Sequence, residues 1–187
     1  MNTYTKTVIN RSITLRAVQV MRCKNSVANK EKIIRKLNSL EAGMLIAPNQ
    51  LVLKYVKILR IKQSQLLNFN PQYMTLNVDI VAITYLIEKN AVGYAYLSKI
   101  RPDGNGFGLM GPSKVFIHKS CLPGNNFTYL PRQNSWSNTK TGVTIRADNL
   151  TLLRLKITDV THSESRKNKL KVKGSLKIPY GGDISWY

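Results

Sequence analysis

The residues best suited to catalytic chemistry are few in this chain. It has two histidines, two cysteines and nine acidic residues, and none of them stands at a familiar catalytic spacing. The patterns G-x-S-x-G, H-E-x-x-H and the P-loop do not occur. His118 and Cys121 are close enough in sequence to share a metal, but a structural zinc site needs a second ligand pair and none lies nearby. The sequence therefore predicts a protein that is not an enzyme and has no metal or other cofactor.

A glycine-rich stretch at residues 101–106, RPDGNG, could suggest a loop that cradles phosphate. Such a loop needs a helix start directly after it, because the free N–H groups of the first helical turn bind the anion. No helix pattern follows this stretch. We therefore interpret it as the connection of a β-hairpin.

The second half of the chain combines the two residue types that hold single-stranded RNA. Aromatic faces stack on bases, and cations contact phosphates. Alternation along a strand at residues 114–118 points Val115 and Ile117 into the core of the barrel. Phe116 and His118 then face outward together and form a candidate stacking platform. The residues predicted to bind RNA are Tyr94, Tyr96, Lys99, Arg101, Phe107, Phe116, His118, Lys119 and Arg132.

Other interpretations of nearby residues stay open. Phe116 could instead lie beneath the long connection at residues 121–142. Within that connection, Trp136 and Tyr129 are expected to fix the chain to the barrel rather than to touch RNA. The run KNKLKVKGSLK at residues 167–177 has a row of lysines that a solvated outer strand face explains without RNA. That row comprises Lys169, Lys171 and Lys173.

The charge of the chain indicates a polyanionic partner. It has 29 Lys and Arg against 9 Asp and Glu, a net charge of +20 and a pI of about 10.2, with an ordinary hydrophobic content of 43%. A surface this basic repels itself unless it meets nucleic acid or anionic lipid. Residues 1–89 carry 14 basic and 4 acidic side chains and the remainder 15 and 5, so each half carries +10. This even spread predicts that the whole folded body, and not a tail, meets the polyanion.

The sequence pattern indicates neither a membrane-spanning segment nor a disulfide framework. The most apolar stretch, residues 78–87, is interrupted by Asp79 and Thr84 and is too short to span a bilayer. The two cysteines, Cys23 and Cys121, are far apart, and no leading apolar run of the signal-peptide kind occurs. We expect a soluble, intracellular, reduced protein with no membrane partner.

The first half is predicted to fold as strand, helix, strand, strand. Residues 4–20 favour a strand, and the runs at 50–62, which alternates imperfectly, and 73–87 form a long hairpin through turn residues 68–72. Ser26 can cap the helix, and Gly43 stands just past its end. The apolar stripe of that helix comprises Val27, Ile33, Ile34, Leu37 and Leu40.

The second half predicts a small closed β-barrel of the five-stranded OB type. Short strand-like runs are separated by turn residues, and no helical stripe occurs. The runs lie at residues 92–101, 106–110, 114–118, 143–146, 150–161 and 168–178. With a junction near residues 88–91, the sequence predicts an α+β protein with one domain at 1–89 and a barrel domain at 90–187.

The barrel half resembles a known family in the order and spacing of its residues. The matching residues are Gly111-Pro112, Phe116-Ile117, Pro123, Phe127, Tyr129-Leu130-Pro131, Asn134, Trp136, Arg154-Leu155-Lys156-Ile157, Gly174-Ser175-Leu176-Lys177 and Tyr180-Gly181-Gly182. They resemble the carboxy-terminal domain of subunit 7 of RNA polymerase II and its archaeal, polymerase I, polymerase III and viral counterparts. The first half is similar to the tip domain of that family in organisation, with a helix that ends at Leu40-Glu41-Gly43.

The resemblance implies a noncatalytic stalk subunit of a multisubunit DNA-dependent RNA polymerase that acts in transcription. The tip domain would dock on the core subunits at the base of the clamp, and the barrel would meet the single-stranded nascent RNA. A subunit-4-like protein would be the stalk partner, so the chain would not be a homo-oligomer. The location would be the nucleus for a cellular eukaryote, or the virion and host cytoplasm for a large DNA virus.

The hairpin connection is the expected docking segment, because it is apolar for a loop tip and such tips are covered by partners. Its anchors are Leu66, Leu67 and Phe69. Alternatively, these side chains fold back on the helix stripe at Ile33 and Leu37. The alternative function for the whole chain is a freestanding OB-type single-stranded RNA-binding factor in translation or RNA processing.

Overall fold

The computed structural model describes residues 3–18, 27–67, 70–163 and 169–186. In this part of the chain the protein is mostly β, with one long α-helix and a closed five-stranded barrel, which is compatible with the predicted α+β class. Two compact units are present: one comprises Tyr4–Leu86, and the other comprises Ile87–Tyr187 together with Met1–Thr3. We call them the sheet–helix unit and the barrel unit.

The sheet–helix unit is a four-stranded sheet with a helix on its inner face. Its elements are β1 (Thr3–Arg16), α1 (Val27–Glu41), β2 (Leu45–Ala47), β3 (Gln50–Leu67) and β4 (Asn70–Leu86). The sheet order is β1-β4-β3-β2. Helix α1 packs Ile33 and Leu37, each 1% exposed, into the same core as the inner-face residues of β3 and β4.

The end of helix α1 differs from the predicted stripe. Leu40 is 56% exposed, so its assignment to the apolar stripe is wrong. Glu41, four residues after Leu37, takes the inward position in the last turn. Its carboxylate accepts hydrogen bonds from the Tyr55 hydroxyl and from Arg11 Nε, the latter at 2.8 Å. The predicted cap, Ser26, lies outside the described residues.

Past the helix, the chain forms a short strand that the sequence did not predict. Gly43 has φ +85°, a left-handed conformation suited to glycine. Its N–H donates to the Val52 carbonyl oxygen at 2.7 Å, which starts the pairing of β2 with β3. The sheet therefore has one strand more than the predicted strand, helix and hairpin.

Strand β3 contains a three-residue repeat that an alternating pattern conceals. Residues 52–60 read VLK, YVK, ILR, and the register against β4 shifts once in each repeat. Each shift is a β-bulge, so three residues of β3 span two of β4. The bulges turn Val52, Tyr55 and Ile58 to the inner face, where all are buried. They leave on the outer face three cations, here called the β3 cation row: Lys54, Lys57 and Arg60.

The barrel unit closes through five strands in an OB-like order. The barrel strands are β5 (Val92–Ile100), β6 (Gly106–Met110), β7 (Ser113–Ile117), β11 (Leu152–Ser163) and β12 (Lys169–Ser175). They pair in the order β5-β6-β7-β12-β11, and β11 pairs again with β5. All these pairs are antiparallel except β7 with β12, which is parallel. A two-residue strand, β13 (Gly182–Asp183), adds to β11.

The connection between β7 and β11 carries its own three-stranded sheet. This sheet contains β8 (Phe127–Leu130), β9 (Ser135–Asn138) and β10 (Thr144–Arg146). The run at residues 143–146 therefore does not belong to the barrel, which corrects its place in the predicted series of barrel strands. Sequence patterning alone does not separate it, because a strand of the barrel and a strand packed beside it bury the same apolar residue types.

No helix in the described ranges is both long enough and apolar enough to cross a membrane.

Candidate nucleic-acid interface

The outer face of the barrel carries a row of aromatic and cationic side chains that crosses four strands. In β7, Val115 and Ile117 are fully buried while Phe116 is half-buried, as alternation predicts. Directly paired residues lie on the same face of a sheet. The register pairs Lys99 with Phe107, Phe107 with Phe116, and Phe116 with Lys173. The strands therefore bring two rings together between two cations.

Three rings form the centre of this surface, here called the aromatic row: Phe107, Phe116 and His118. The centroids of Phe107 and Phe116 are 5.4 Å apart, and those of Phe116 and His118 are 6.4 Å apart. Both ring pairs are tilted, at 56° and 55°, which is a favourable arrangement for neighbouring aromatic rings. The row therefore offers several π faces and edges on one side of the barrel.

A guanidinium group stands at one end of the aromatic row. The Cζ atom of Arg101 lies 4.5 Å from the centroid of Phe107, within the range of a cation–π interaction. This contact holds the charge of Arg101 next to the ring without consuming its hydrogen-bond donors. Those donors remain suited to a phosphate oxygen.

A groove of about 390 Å³ runs between β7 and β12 beside the rings. None of its lining residues comes from the connection at 121–142, so that connection does not cover Phe116 there. Lys173 forms an ion pair with Asp159 at 3.0 Å, and that contact lowers the pKa of the Asp159 carboxyl. The residues that line the groove are Arg101, Phe107, Lys114, Phe116, Leu170, Lys171, Val172 and Lys173.

The loop at residues 101–105 is held in place from two sides. It joins antiparallel strands β5 and β6, which confirms the hairpin interpretation. Asp103 Oδ1 accepts the N–H of Asn105 at 2.9 Å, and this backbone hydrogen bond is the main reason that the pKa of Asp103 is lowered. The side-chain oxygen of Asn105 accepts the N–H of Lys119 at 3.0 Å. The loop is therefore tied to the segment that follows the aromatic row.

Trp136 fixes the three-stranded sheet to the same loop, as expected for the connection. The indole is 1% exposed, and its Nε1 donates to the Gly104 carbonyl oxygen at 2.8 Å. A Cβ at Gly106 would lie 2.3 Å from the Trp136 ring, so only glycine allows this approach. Trp136 is therefore a structural support for the loop and has no surface to offer to RNA. Tyr129 lies opposite Trp136 in the β8–β9 register and is half-buried.

His118 caps a short 3-10 turn, Lys119–Cys121, at the end of β7. Its Nδ1 accepts the backbone N–H of Ser120 at 3.2 Å and lies 2.7 Å from the Ser120 hydroxyl oxygen. Cys121 is half-buried and free. Across the described residues, no group of three or more His, Cys, Asp or Glu side chains lies close enough to hold a metal ion.

Two predicted tyrosines extend the same face. Tyr94 and Tyr96 point outward from β5 and are 55% and 48% exposed. Tyr96 lies opposite Leu109 of β6, which in turn lies opposite Lys114 of β7. This second line of outward side chains runs beside the aromatic row. Tyr94 lies opposite Arg154, whose Nη1 donates to the Pro179 carbonyl oxygen at 2.6 Å.

The structure does not bring every predicted residue to this face. Arg132 lies in the 3-10 turn Pro131–Gln133, between β8 and β9 of the separate three-stranded sheet, and is outside the aromatic row. The side chains of the three predicted docking anchors lie outside the described part of the structure. Leu66 and Leu67 belong to the backbone of β3 but their side chains lie outside the described part, and Phe69 lies outside it altogether.

Three lysines at the groove were not among the predicted RNA-binding residues. Lys114 shares the outward face of β7 with Phe116, a relation that alternation alone could have shown. The sequence pattern explains Lys171 and Lys173 as residues of a solvated strand face. They reach the groove because β12 pairs in parallel with β7, and no local pattern contains that information.

Comparison with models of known protein families and with curated proteins finds no match for this chain. The chemistry of the outer barrel face is therefore the guide to function. That chemistry is noncovalent: the rings offer surfaces for stacking, and the cations beside them offer charge and hydrogen-bond donors.

Proposed function

We propose that the protein binds single-stranded RNA through the outer face of its barrel and has no catalytic residues of its own. The observation that carries the proposal is the aromatic row, with Arg101 over Phe107 and with Lys99 and Lys173 in register at its two sides. Barrels of the OB type bind oligonucleotides on their second and third strands and adjacent loops. Here those strands are β6 and β7, and the adjacent loop contains Arg101.

The surface fits a single strand better than a duplex. Unpaired bases expose their faces and can stack on Phe107, Phe116 or His118, whereas paired bases are already stacked on each other. Stacking tolerates every base, because each base has a π face. The cations around the rings would contact the phosphates between stacked bases. We therefore expect general binding with little sequence preference.

We also propose that this RNA-binding protein is a stalk subunit of a multisubunit DNA-dependent RNA polymerase. The support is the resemblance across residues 111–182, joined to an α+β organisation in which a sheet–helix unit precedes the barrel. In this proposal the sheet–helix unit docks at the base of the clamp beside a subunit-4-like partner. The barrel then contacts the nascent transcript.

The salt dependence of RNA binding tests the electrostatic part of the proposal. If about five phosphates are neutralised, log affinity falls against log salt with a slope of about −3.5, or roughly −0.7 per contact on a single strand. The measurement is fluorescence anisotropy of a labelled oligouridylate titrated with the full chain over a salt series. A slope near zero would exclude phosphate contacts and with them the proposed mode of binding.

Affinity purification from the source tests the polymerase assignment separately. We expect the tagged chain to recover a large multisubunit polymerase and a smaller stalk partner. Leu67→Ala with Phe69→Ala should weaken this recovery and leave RNA binding intact, while Phe116→Ala with Lys119→Ala should do the reverse. A tagged chain that is monomeric or ribosome-bound, with RNA binding preserved, would favour the freestanding RNA-binding factor.

A further inference from the structure

The sheet–helix unit has a charged surface of its own on the outer face of β3. In the β3 cation row, Lys54, Lys57 and Arg60 lie opposite Ile83, Val81 and Asp79 of β4. These partners face away from the inner core, and all three cations are exposed. A strand with simple alternation would turn Lys57 inward, opposite to Lys54 and Arg60. The bulges therefore have the effect of collecting the cations on one face.

The spacing of the cation row is regular. Successive cations are separated by two residues of the partner strand β4, or about 7 Å along an antiparallel strand. Because the residues belong to one hydrogen-bonded strand, their backbone positions are fixed before any partner binds. A repeated, fixed positive charge is complementary to a polymer whose negative charges also repeat.

Nearby acidic charge does not neutralise Lys54 or Lys57. Asp79 pairs with Lys62 at 2.9 Å and accepts a hydrogen bond from Asn10 at 3.0 Å. The contact with Lys62 is the main reason that the pKa of Asp79 is lowered. In the described ranges, no acidic side chain forms an ion pair with Lys54 or Lys57. The charge of Lys54 and Lys57 is therefore available to an external anion, whereas Arg60 lies opposite Asp79 and interacts electrostatically with it.

The row ends in an open polar pocket of about 560 Å³. Its lining side chains are hydrogen-bonding groups from β1, β3 and β4. A guanidinium and an ammonium group are both present, together with amide and hydroxyl groups that can contact phosphate or sugar oxygens. The pocket is lined by Asn10, Ser12, Arg60, Lys62 and Asn77.

We infer that the β3 cation row binds the phosphate backbone of a single-stranded nucleic acid, as a second binding surface that does not depend on the barrel site. Even spacing and a polar pocket favour a sugar–phosphate chain over an acidic protein, whose carboxylates have no fixed repeat. Among the residues that the structure describes, no aromatic side chain belongs to the row or to the pocket lining. The row therefore contacts the backbone and does not read bases.

The test compares two variants of the full chain that lose equal charge. The row variant is Lys54→Gln, Lys57→Gln and Arg60→Gln. The control variant removes three exposed cations from helix α1, where the side chains do not form a strand row: Lys30→Gln, Lys32→Gln and Arg35→Gln. The barrel site is intact in both variants, so its contribution to RNA binding is the same.

The readout is the salt slope for a long labelled oligouridylate. Loss of three phosphate contacts should make the slope shallower by about 2, at roughly 0.7 per contact, whereas the control should keep the wild-type slope. Lys54→Arg with Lys57→Arg retains the charges and should also keep the wild-type slope. This variant separates loss of charge from a general effect of substitution in β3. Equal slopes for the row and control variants would overturn the inference. The inference would also be overturned if the row variant kept the wild-type salt slope for RNA but lost binding to poly-glutamate. That result would identify an acidic polypeptide as the occupant.

Discussion

Replacement of Phe116 by alanine removes the central ring of the aromatic row. The ring is half-buried and has Phe107 at 5.4 Å and His118 at 6.4 Å. Its strand neighbours Val115 and Ile117 point into the barrel and stay in place. The substitution therefore removes a stacking surface with little direct effect on the barrel core.

The expected loss of affinity follows from the number of rings removed. Stacking of one base on one aromatic side chain contributes about 1–3 kcal/mol. If one base stacks on Phe116, the dissociation constant for oligouridylate should rise about 5- to 140-fold. The lower part of this range is expected if Phe107 moves to take over part of the contact.

The assay is fluorescence anisotropy at fixed salt, with the melting temperature of each variant measured in parallel. Phe116→Tyr retains the ring and should bind RNA nearly as well as the wild type. Val92→Ala is the control, because Val92 is also 40% exposed but lies at the start of β5, opposite Lys156 and outside the aromatic row. Equal losses for Phe116→Ala and Val92→Ala, or for Phe116→Ala and Phe116→Tyr, would refute stacking on this ring.

Two further predictions concern the supports of the structure. Gly106→Ala should lower the free energy of unfolding, measured by urea titration, by about 1–3 kcal/mol, because the new Cβ would lie 2.3 Å from the Trp136 ring. Trp136→Phe should reduce the destabilisation caused by Gly106→Ala when the two substitutions are combined. Strictly additive changes in the free energy of unfolding would contradict the clash. Burial raises the pKa of Tyr55 to about 12, with a further contribution from its hydrogen bond to Glu41. The native state therefore holds the phenol proton more tightly than the unfolded chain, whose tyrosine pKa is about 10. Stability should be fully present below pH 10 and fall by up to about 3 kcal/mol as the pH rises through 12. Tyr55→Phe should lack this part of the pH dependence in urea titrations, and parallel curves for the two proteins would contradict it.

Local periodicity was sufficient for much of the architecture. Strand β6 occupies the predicted residues 106–110, and β7 differs from its prediction by one residue at each end. The outward direction of Phe116 follows from alternation along a single strand, because successive side chains point to opposite faces. Helix α1 was also predictable. The exposure of Leu40 was not, because Glu41 takes the inner position through its contacts with Tyr55 and Arg11.

The interruptions of periodicity were harder to interpret. The three-residue repeat at 52–60 looks like imperfect alternation when it is read alone. Its period becomes clear only against β4, where a bulge in each repeat lets Val52, Tyr55 and Ile58 share the inner face. A bulge is a property of two paired strands, so the sequence of one strand does not define it.

The sequence by itself determined the charge of the protein, the inventory of rings and cations, and the face on which several of them lie within their own strands. The tertiary structure decided which of them meet. Parallel pairing of β7 with β12 sets Lys173 opposite Phe116, and the three-stranded sheet places Trp136 against the loop that carries Arg101. The physical reason is that side-chain direction depends on local backbone geometry, whereas neighbourhood across strands depends on hydrogen-bond pairing between distant segments of the chain.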